Sequence, residues 1–312
     1  MSAHPLLKPP AVSPGANVSV IAPASFARPD RVDGGMKALR ELHFHPRPGE
    51  HTHMHGPLFF SGTPAQRLDD LHNAFADPET AIVMCLRGGY GSNYLLDRLD
   101  LNLIRRHPKP LFAYSDLTGA QLLFLDRLGL PAFHGPMVAA DFASEEGVHL
   151  ASLHAALEGK PYSVGALEGL RALKSGTAKG TLYGGCLSIL VSLLGTPWAP
   201  ATEGKLLFIE DTSAKPYQVD RMLWQLKQAG KLDGAKGIVF GEMLECTSHG
   251  APPDLLEQVI RRAFEDFPGP VAMGLRSGHV SRDNVTLTFG VEAELIAEDD
   301  PELRMLEPAV MR

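Results

Sequence analysis

Residues 109–120 read Lys-Pro-Leu-Phe-Ala-Tyr-Ser-Asp-Leu-Thr-Gly-Ala, a stretch in which a strand turns into a helix. Leu111 to Tyr114 is a short apolar run typical of a buried strand, and Leu117 to Leu128 is predicted to be an apolar helix. Ser115 lies at the joint. A helix N-terminus there offers free backbone N–H groups that can stabilise a developing oxyanion. The stretch therefore predicts an α/β unit with one polar side chain lifted out of its sheet.

Ser115 has two interpretations at this stage. A Ser at the start of a helix readily caps it, by accepting a hydrogen bond from a backbone N–H group. The same place suits a nucleophile, although Tyr114-Ser115-Asp116 is not the Gly-x-Ser-x-Gly elbow of the α/β-hydrolases. The side chain of Asp116 is expected to cap the helix rather than to act as a catalytic acid. The stretch alone leaves both roles of Ser115 open.

Strands and helices are predicted to alternate upstream of this stretch. Asn17 to Ala22 is an alternating strand, and a helix is predicted from Asp30 to Leu42. Thr63-Pro64-Ala65-Gln66 predicts a helix start in which Thr63 is the N-cap and Gln66 reaches back to it. Ala81 to Leu86 is an unbroken apolar run, typical of a strand buried on both faces. This order predicts a layered α/β domain over residues 1–160.

A glycine-rich turn, Arg87-Gly88-Gly89-Tyr90-Gly91, follows that buried strand. Glycines between a strand and a helix permit positive φ and close approach, so backbone N–H groups can face an anion or an oxyanion. The spacing matches neither the dinucleotide fingerprint nor the P-loop with its Lys. A nucleotide- or sugar-binding protein without catalytic activity remains an alternative.

The second half of the chain is predicted to be rich in strands. Short, glycine-dotted pieces over residues 161–180 indicate an interdomain connection, and residues 181–312 a second domain. An apolar strand, Lys205 to Ile209, ends at Glu210, and His279 follows Gly278 in a loop. Residues 284–289 and 292–296 are expected to pair as a hairpin. A Ser, a carboxylate and a His at strand ends are the components of a hydrolytic triad, although each has ordinary structural uses.

Composition argues against several classes of function. The 312 residues carry a formal net charge of −7, which disfavours a general role in binding nucleic acid. Residues 1–14 lack the pattern of an export signal, and the most apolar segment, residues 187–194, is too short to cross a bilayer. Three widely spaced cysteines indicate reduced thiols in a cytoplasmic protein with no membrane partner. These residues are Cys85, Cys186 and Cys246.

Five histidines crowd residues 43–55 and invite a metal interpretation. No cysteine or acidic residue accompanies them at metal-ligand spacing, and prolines interrupt the segment. A solvated loop is therefore expected there, with no metal site. The five are His43, His45, His51, His53 and His55.

Several short sequence motifs are spread in order over nearly the whole chain. They are Arg87-Gly88-Gly89-Tyr90-Gly91, Tyr114-Ser115-Asp116, His134-Gly135-Pro136-Met137, Gly184-Gly185-x-Leu187-Ser188, Leu207-Phe208-Ile209-Glu210-Asp211 with Asp220-Arg221-Met222-Leu223, and Gly278-His279. Together they resemble the LD-carboxypeptidase family of serine peptidases. This family includes cytoplasmic muramoyltetrapeptide carboxypeptidases and microcin C self-immunity peptidases.

The resemblance implies Ser115 as nucleophile, His279 as general base and Glu210 as the group that orients the base. It also implies an α/β N-terminal domain, a β-rich C-terminal domain, an active site in the cleft between them, and a homodimer. The family releases D-alanine from murein tetrapeptides and needs no metal or organic cofactor. For the oxyanion, the backbone N–H groups of Gly89 and Asp116 are predicted. Cleavage of an amide in a peptide antibiotic conjugate is the alternative reaction.

Overall fold

A computed structural model describes residues 5–312 of the chain. Residues 1–4, part of the predicted N-terminal domain and of its proline-rich first segment, lie outside the described residues. The chain divides into two units. The first contains the described residues up to Lys160, together with Arg282–Gly290 and Pro308–Arg312. The second contains Pro161–Ser281 and Val291–Glu307.

Strands and helices alternate through much of the chain. The strands are β1 (Asn17–Ile21), β2 (His45–Pro48), β3 (Thr80–Cys85), β4 (Leu111–Ala113), β5 (Ala132–His134), β6 (Tyr162–Gly165), β7 (Arg171–Lys174), β8 (Gly176–Cys186), β9 (Lys205–Glu210), β10 (Gly237–Gly241), β11 (Val271–Leu275), β12 (Leu287–Phe289), β13 (Glu292–Ala297) and β14 (Glu302–Met305). The α-helices are α1 (Pro29–Glu41), α2 (Pro64–Ala76), α3 (Leu101–Arg106), α4 (Thr118–Leu128), α5 (Leu150–Glu158), α6 (Leu187–Ser192), α7 (Pro216–Gln228) and α8 (Leu255–Ala263). Within residues 5–312, no helix combines the length and apolarity that crossing a membrane requires.

The first unit is built on a six-stranded sheet in the order β12-β5-β4-β3-β1-β2. Strands β1 to β5 pair in parallel, so their carboxyl ends meet at one edge of the sheet. The predicted run over residues 81–86 forms β3, whose last four residues are buried, as expected for a strand covered on both faces. The predicted α/β class is confirmed.

Helix α2 shows how local sequence sets an element. Gln66 N donates to Thr63 Oγ1 at 3.3 Å, and Thr63 N donates to Gln66 Oε1 at 3.0 Å, so the predicted capping box forms. Leu71 and Phe75 lie on the buried stripe of this helix. Arg67 lies on the same stripe and is also buried, which is unusual for a charged residue.

The second unit contains an eight-stranded sheet in the order β6-β14-β13-β8-β9-β10-β11-β7. Its central strands β8 to β11 are parallel, and the outer strands pair antiparallel. The predicted connection over residues 161–180 instead contains β6, β7 and the start of β8. Both β6 and β7 are edge strands, and their weak amphipathic pattern reflects the partial exposure of an edge.

The expected hairpin over residues 284–296 does not form. Strand β12 pairs antiparallel with β5, with Leu287 opposite His134, whereas β13 pairs with β8 and β14. Phe289 is fully buried and stacks on the His134 ring, 5.1 Å between centroids. Two short strands joined by a glycine give a local hairpin signal, but burial against a distant strand decides the partner of β12.

Candidate active site

Ser115 begins a single 3₁₀ turn, Ser115–Leu117, between the end of β4 and the start of α4. Its φ of 63° lies in the left-handed region, which costs a non-glycine residue about 1 kcal/mol or more. The cap positions of the turn and of α4 belong to Tyr114 and Leu117. The capping interpretation of Ser115 is therefore not supported. A strained turn presents this hydroxyl instead, an arrangement common at reactive residues.

Asp116 differs from its expected role as a helix cap. Its buried carboxylate accepts a hydrogen bond from Ser92 N at 2.8 Å, and its carbonyl accepts one from Ser92 Oγ at 2.6 Å. Burial raises the pKa of this carboxyl, while the backbone hydrogen bond from Ser92 opposes the rise. The side chain thus joins the turn of Ser115 to the first residue of the 3₁₀ helix Ser92–Arg98, which follows the glycine-rich turn.

The glycine-rich turn, residues 87–91, lies directly against Ser115. A Cβ atom on Gly88 would be 2.8 Å from Ser115 Cβ and 3.0 Å from its Oγ. Gly89 has a φ of +104°, and a Cβ there would be 2.4 Å from Ser25 Oγ. Ser25 Oγ in turn accepts a hydrogen bond from Tyr90 N at 3.1 Å. Only glycine fits at both positions.

The two N–H groups predicted to bind the oxyanion belong to the residues that follow Gly88 and Ser115. Over residues 5–312, the amides of Gly89 and Asp116 donate no hydrogen bond to a backbone carbonyl outside their own element. A backbone N–H without an internal partner is free to donate to a ligand.

Glu210 and His279 form a pair within the second unit. Glu210 ends β9 and is fully buried. Its Oε2 lies 2.7 Å from His279 Nδ1 and also accepts the backbone N–H of His279 at 3.0 Å. A carboxylate at Nδ1 favours the tautomer that is protonated there, which leaves Nε2 as the basic nitrogen. The structure therefore pairs Glu210 with His279.

Glycines enclose this carboxylate. A Cβ atom on Gly278, whose φ is +88°, would be 2.6 Å from Glu210 Cδ. A Cβ atom on Gly241 would be 2.7 Å from Glu210 Cβ. The backbone thus approaches the buried carboxylate closely enough for His279 to bind it with two donors.

Asp211, the residue after Glu210, has a separate structural role that the sequence did not reveal. It accepts hydrogen bonds from Ser188 N and Thr212 N, both at 2.8 Å. Burial raises the pKa of its carboxyl. Ser188 is in the first turn of α6, so Asp211 satisfies a free N–H group of that helix.

Sequence reasoning also missed Ser25, Ser92 and Arg67, which surround the glycine-rich turn. Arg67 donates from Nη1 to the carbonyl of Gly91 at 2.8 Å. The signal that was available is its place on the apolar stripe of α2, four residues before Leu71. Ser25 and Ser92 offer no comparable signal, because a serine in a loop is common.

Two of the clustered histidines contact other side chains of the first unit. His51 Nδ1 lies 2.9 Å from Asp70 Oδ1, and the ring of His55 stacks on Phe26 with 4.3 Å between centroids. In the described part of the chain, no three or more His, Cys, Asp or Glu side chains are grouped to hold a metal ion.

The three cysteines are buried, and within residues 5–312 none of them forms a disulfide bond. Burial raises the pKa of each thiol, to about 12 for Cys246. Neutral buried thiols are poor nucleophiles, as expected for Cys85.

Profiles of one family match both halves of the chain. The LD-carboxypeptidase N-terminal domain matches residues 18–135, which include Ser115. The LD-carboxypeptidase C-terminal domain matches residues 179–295, which include Glu210 and His279.

Individual proteins of known name are similar over most of the chain. The probable murein peptide carboxypeptidase of Bacillus subtilis is 38% identical over 294 residues, covering 92% of this chain and 91% of that protein. The murein tetrapeptide carboxypeptidase of Pseudomonas aeruginosa is 32% identical over 284 residues, covering 84% and 87%.

Solved structures share the fold. The MccF-like protein of Bacillus anthracis has a TM-score of 0.86 at 26% identity, covering 96% of this chain and 99% of that one. The muramoyltetrapeptide carboxypeptidase of Oxalobacter formigenes has a TM-score of 0.81 at 27% identity, covering 95% and 100%.

Proposed function

The chain belongs to the LD-carboxypeptidase family of serine peptidases, and we propose that it releases the terminal D-alanine from murein tetrapeptides during peptidoglycan recycling. The names of the Bacillus subtilis and Pseudomonas aeruginosa relatives support a murein peptide as substrate. The proposal places the enzyme in the cytoplasm as a homodimer. Three cysteines without a disulfide bond among the described residues agree with a reducing compartment.

The observation that carries the mechanism is the 2.7 Å pairing of His279 Nδ1 with the buried Glu210 carboxylate. In the proposed reaction, Ser115 Oγ attacks the carbonyl of the L,D amide while His279 Nε2 accepts its proton. His279 then gives this proton to the amine of the leaving D-alanine. Water hydrolyses the acyl-enzyme by the same steps. Glu210 holds the tautomer and stabilises the imidazolium that forms.

The oxyanion of the tetrahedral intermediate is proposed to bind the backbone N–H groups of Gly89 and Asp116. A Cβ on Gly88 would be 3.0 Å from Ser115 Oγ, so the glycine-rich turn is near the atom proposed to attack. The removal of one such donor typically lowers kcat by about 10² to 10³.

A second candidate reaction is the cleavage of an amide in a peptide–nucleotide conjugate. The similarity to the MccF-like protein of Bacillus anthracis, at 26% identity, favours keeping it. It uses the same three residues and differs only in the acyl and leaving groups.

The test is amino-acid release, followed by mass spectrometry, from UDP-muramoyl-tetrapeptide and from anhydromuramoyl-tetrapeptide. We expect the protein to release one alanine from a tetrapeptide ending in D-alanine and none from the L-alanine epimer. Ser115→Ala should be slower by about 10⁶, as is typical for the removal of a nucleophile. A peptide–adenosine conjugate in a parallel assay detects the second reaction.

Cleavage of the conjugate alone would replace the murein proposal. Binding of a tetrapeptide without turnover, unchanged in Ser115→Ala, would indicate a protein that binds but does not catalyse.

A further inference from the structure

We propose that Arg67 and Asp116 are a pair of positioning residues that hold the glycine-rich turn against Ser115 during nucleophilic attack. The inference rests on the proposed function, since it concerns the reactivity of Ser115. Neither side chain is given a contact with substrate.

Asp116 provides the first half of the link. It follows Ser115 directly, so any movement of its backbone moves the nucleophile. Its carboxylate accepts a hydrogen bond from Ser92 N at 2.8 Å, and its carbonyl accepts one from Ser92 Oγ at 2.6 Å. Ser92 follows Gly91, the last residue of the glycine-rich turn. Two short hydrogen bonds therefore fix the spacing between the nucleophile turn and the end of the glycine-rich turn.

Arg67 provides the second half of the link. Its Nη1 donates to the carbonyl of Pro23 at 2.6 Å and to that of Gly91 at 2.8 Å. The first carbonyl follows β1 and the second ends the glycine-rich turn, so one guanidinium ties together two loops at the carboxyl edge of the sheet. Gly91 packs closely here, because a Cβ on it would be 3.0 Å from Arg67 Nη1.

The burial of Arg67 is costly for a merely structural link. The residue is 1% exposed, and among the described residues its Nε and Nη2 atoms have no hydrogen-bond partner. Its guanidinium carbon lies 4.9 Å from the centre of the Phe60 ring. Buried charges persist where another charge compensates them. Arg67 binds the carbonyl of Gly91 and Asp116 binds the N–H of the next residue, Ser92, and the charge of Asp116 partly offsets the burial of Arg67.

Because the two charges are coupled, single and double variants distinguish an effect on the position of Ser115 from an effect on the stability of the fold. Removing one charge leaves the other buried and uncompensated, which destabilises the fold as well as the turn. Removing both relieves the uncompensated charge but does not restore the hydrogen bonds of Arg67 to the two loops. We therefore expect a double variant to recover thermal stability without recovering the reactivity of Ser115.

The test compares Arg67→Met, Asp116→Asn and the double variant in the full chain. The readouts are Tm, the second-order rate of labelling by a fluorophosphonate probe, and kcat and KM on the tetrapeptide. We expect each single variant to lose labelling rate and kcat by about tenfold or more, approaching the loss of an oxyanion donor, with KM little changed. The double variant should regain Tm but not the labelling rate. If Arg67→Met does not fold, Arg67→Lys takes its place in the comparison, because lysine keeps the charge but lacks the planar guanidinium group.

Lys109→Met is the matched control. Lys109 is also a buried cation of the first unit and donates to a backbone carbonyl, that of Phe75, at 2.6 Å. Its loss should lower Tm and leave the labelling rate of the folded protein unchanged.

Two results would overturn the proposal. One is a labelling rate per folded molecule that equals that of the wild type in the single variants. The other is an equal fall in Lys109→Met, which would show that general loosening is sufficient. A wild type that labels at Ser115 but releases no D-alanine contradicts the murein substrate only, and the labelling rates still decide the role of the pair. A wild type that does not label contradicts both.

Discussion

His279 binds one oxygen of Glu210 twice, through its ring Nδ1 at 2.7 Å and its backbone N–H at 3.0 Å. The two donors fix the ring relative to the chain that carries it. Because the backbone N–H of His279 holds the same carboxylate oxygen, the imidazole ring cannot easily turn to place Nε2 against Glu210. The orientation of the His279 ring is therefore set within the second unit by its contacts with Glu210.

Replacement of Glu210 by Gln is expected to lower kcat by about 10⁴, as in other triads in which the orienting carboxylate becomes an amide. The amide keeps the shape but stabilises the wrong tautomer of His279. Steady-state kinetics on the tetrapeptide measures the loss. Glu257→Gln, a charged-pair residue of α8 in the same unit, is the control and should retain activity. Similar losses in both variants would contradict the orienting role.

Gly278→Ala is expected to abolish most activity, because the added methyl group would lie 2.6 Å from Glu210 Cδ. Its φ of +88° adds backbone strain of about 1 kcal/mol. Gly250→Ala separates the two effects, since its φ is +75° and nothing lies within 4 Å of the added atom. Both should lose some Tm, but only Gly278→Ala should lose kcat. Full activity in Gly278→Ala would show that Glu210 can move without consequence.

Gly88→Ala is expected to slow the labelling of Ser115 by a fluorophosphonate probe. The new methyl group would be 2.8 Å from Ser115 Cβ, a distance that forces one of the two turns to shift. Gly34→Ala in α1 has only an ordinary 3.5 Å contact, with Ala143 Cβ, and should be neutral or stabilising by up to about 1 kcal/mol. Equal labelling rates in both variants would contradict the close approach of the glycine-rich turn to Ser115, the proposed nucleophile.

Stability should fall in mild acid through His72. Its Nε2 accepts the N–H of Asp100 at 3.0 Å, which requires the neutral ring, and burial lowers its pKa below the ordinary 6.5. Because the pKa of His72 is lowered in the folded state, its contribution to the free energy of unfolding is fully present above pH 6.5. This contribution is lost as the pH falls through the folded-state pKa. Urea midpoints of the wild type and His72→Gln should therefore converge as the pH falls from about 7.5 to about 5.5. A constant difference would contradict this assignment.

Phe289→Ala should destabilise the first unit by about 3–5 kcal/mol, as expected for a fully buried aromatic side chain. Its ring stacks on His134 of β5, so the loss falls on the sheet that contains β4. Urea unfolding measures it. Leu167→Ala, where the side chain is 88% exposed, should change stability by less than about 0.5 kcal/mol. A small effect of Phe289→Ala would mean that β12 adds little to its sheet.

Local chemistry made much of this fold predictable. The capping box of Thr63 and Gln66 involves neighbours in sequence, and it forms as predicted. Ser115 and Glu210 were proposed from the sequence because each follows an apolar strand, where a polar group needs a reason, and His279 because it follows Gly278 in a loop. That Glu210 meets His279 could be proposed from the sequence, but only the fold gives the distance.

Contacts between distant residues were not predictable in the same way. Arg67 is separated from Gly91, and Asp116 from Ser92, by 24 residues each. No periodic pattern connects such positions. The partner of β12 was mispredicted for a related reason, because Gly290 gives the signal of a hairpin while the available sheet edge lies at β5.

The late return of the chain in β12 has a consequence for biosynthesis. A ribosome makes β1 to β5 early, yet the strand that closes their sheet at β5 comes from Leu287–Phe289. Until then the nascent protein displays an unpaired strand edge, the kind of surface on which chains join one another. His279 precedes β12, so this edge can close only after the proposed base has been synthesised. A translation product that ends before His279 therefore lacks both the proposed base and β12, and its β5 edge stays unpaired by that strand.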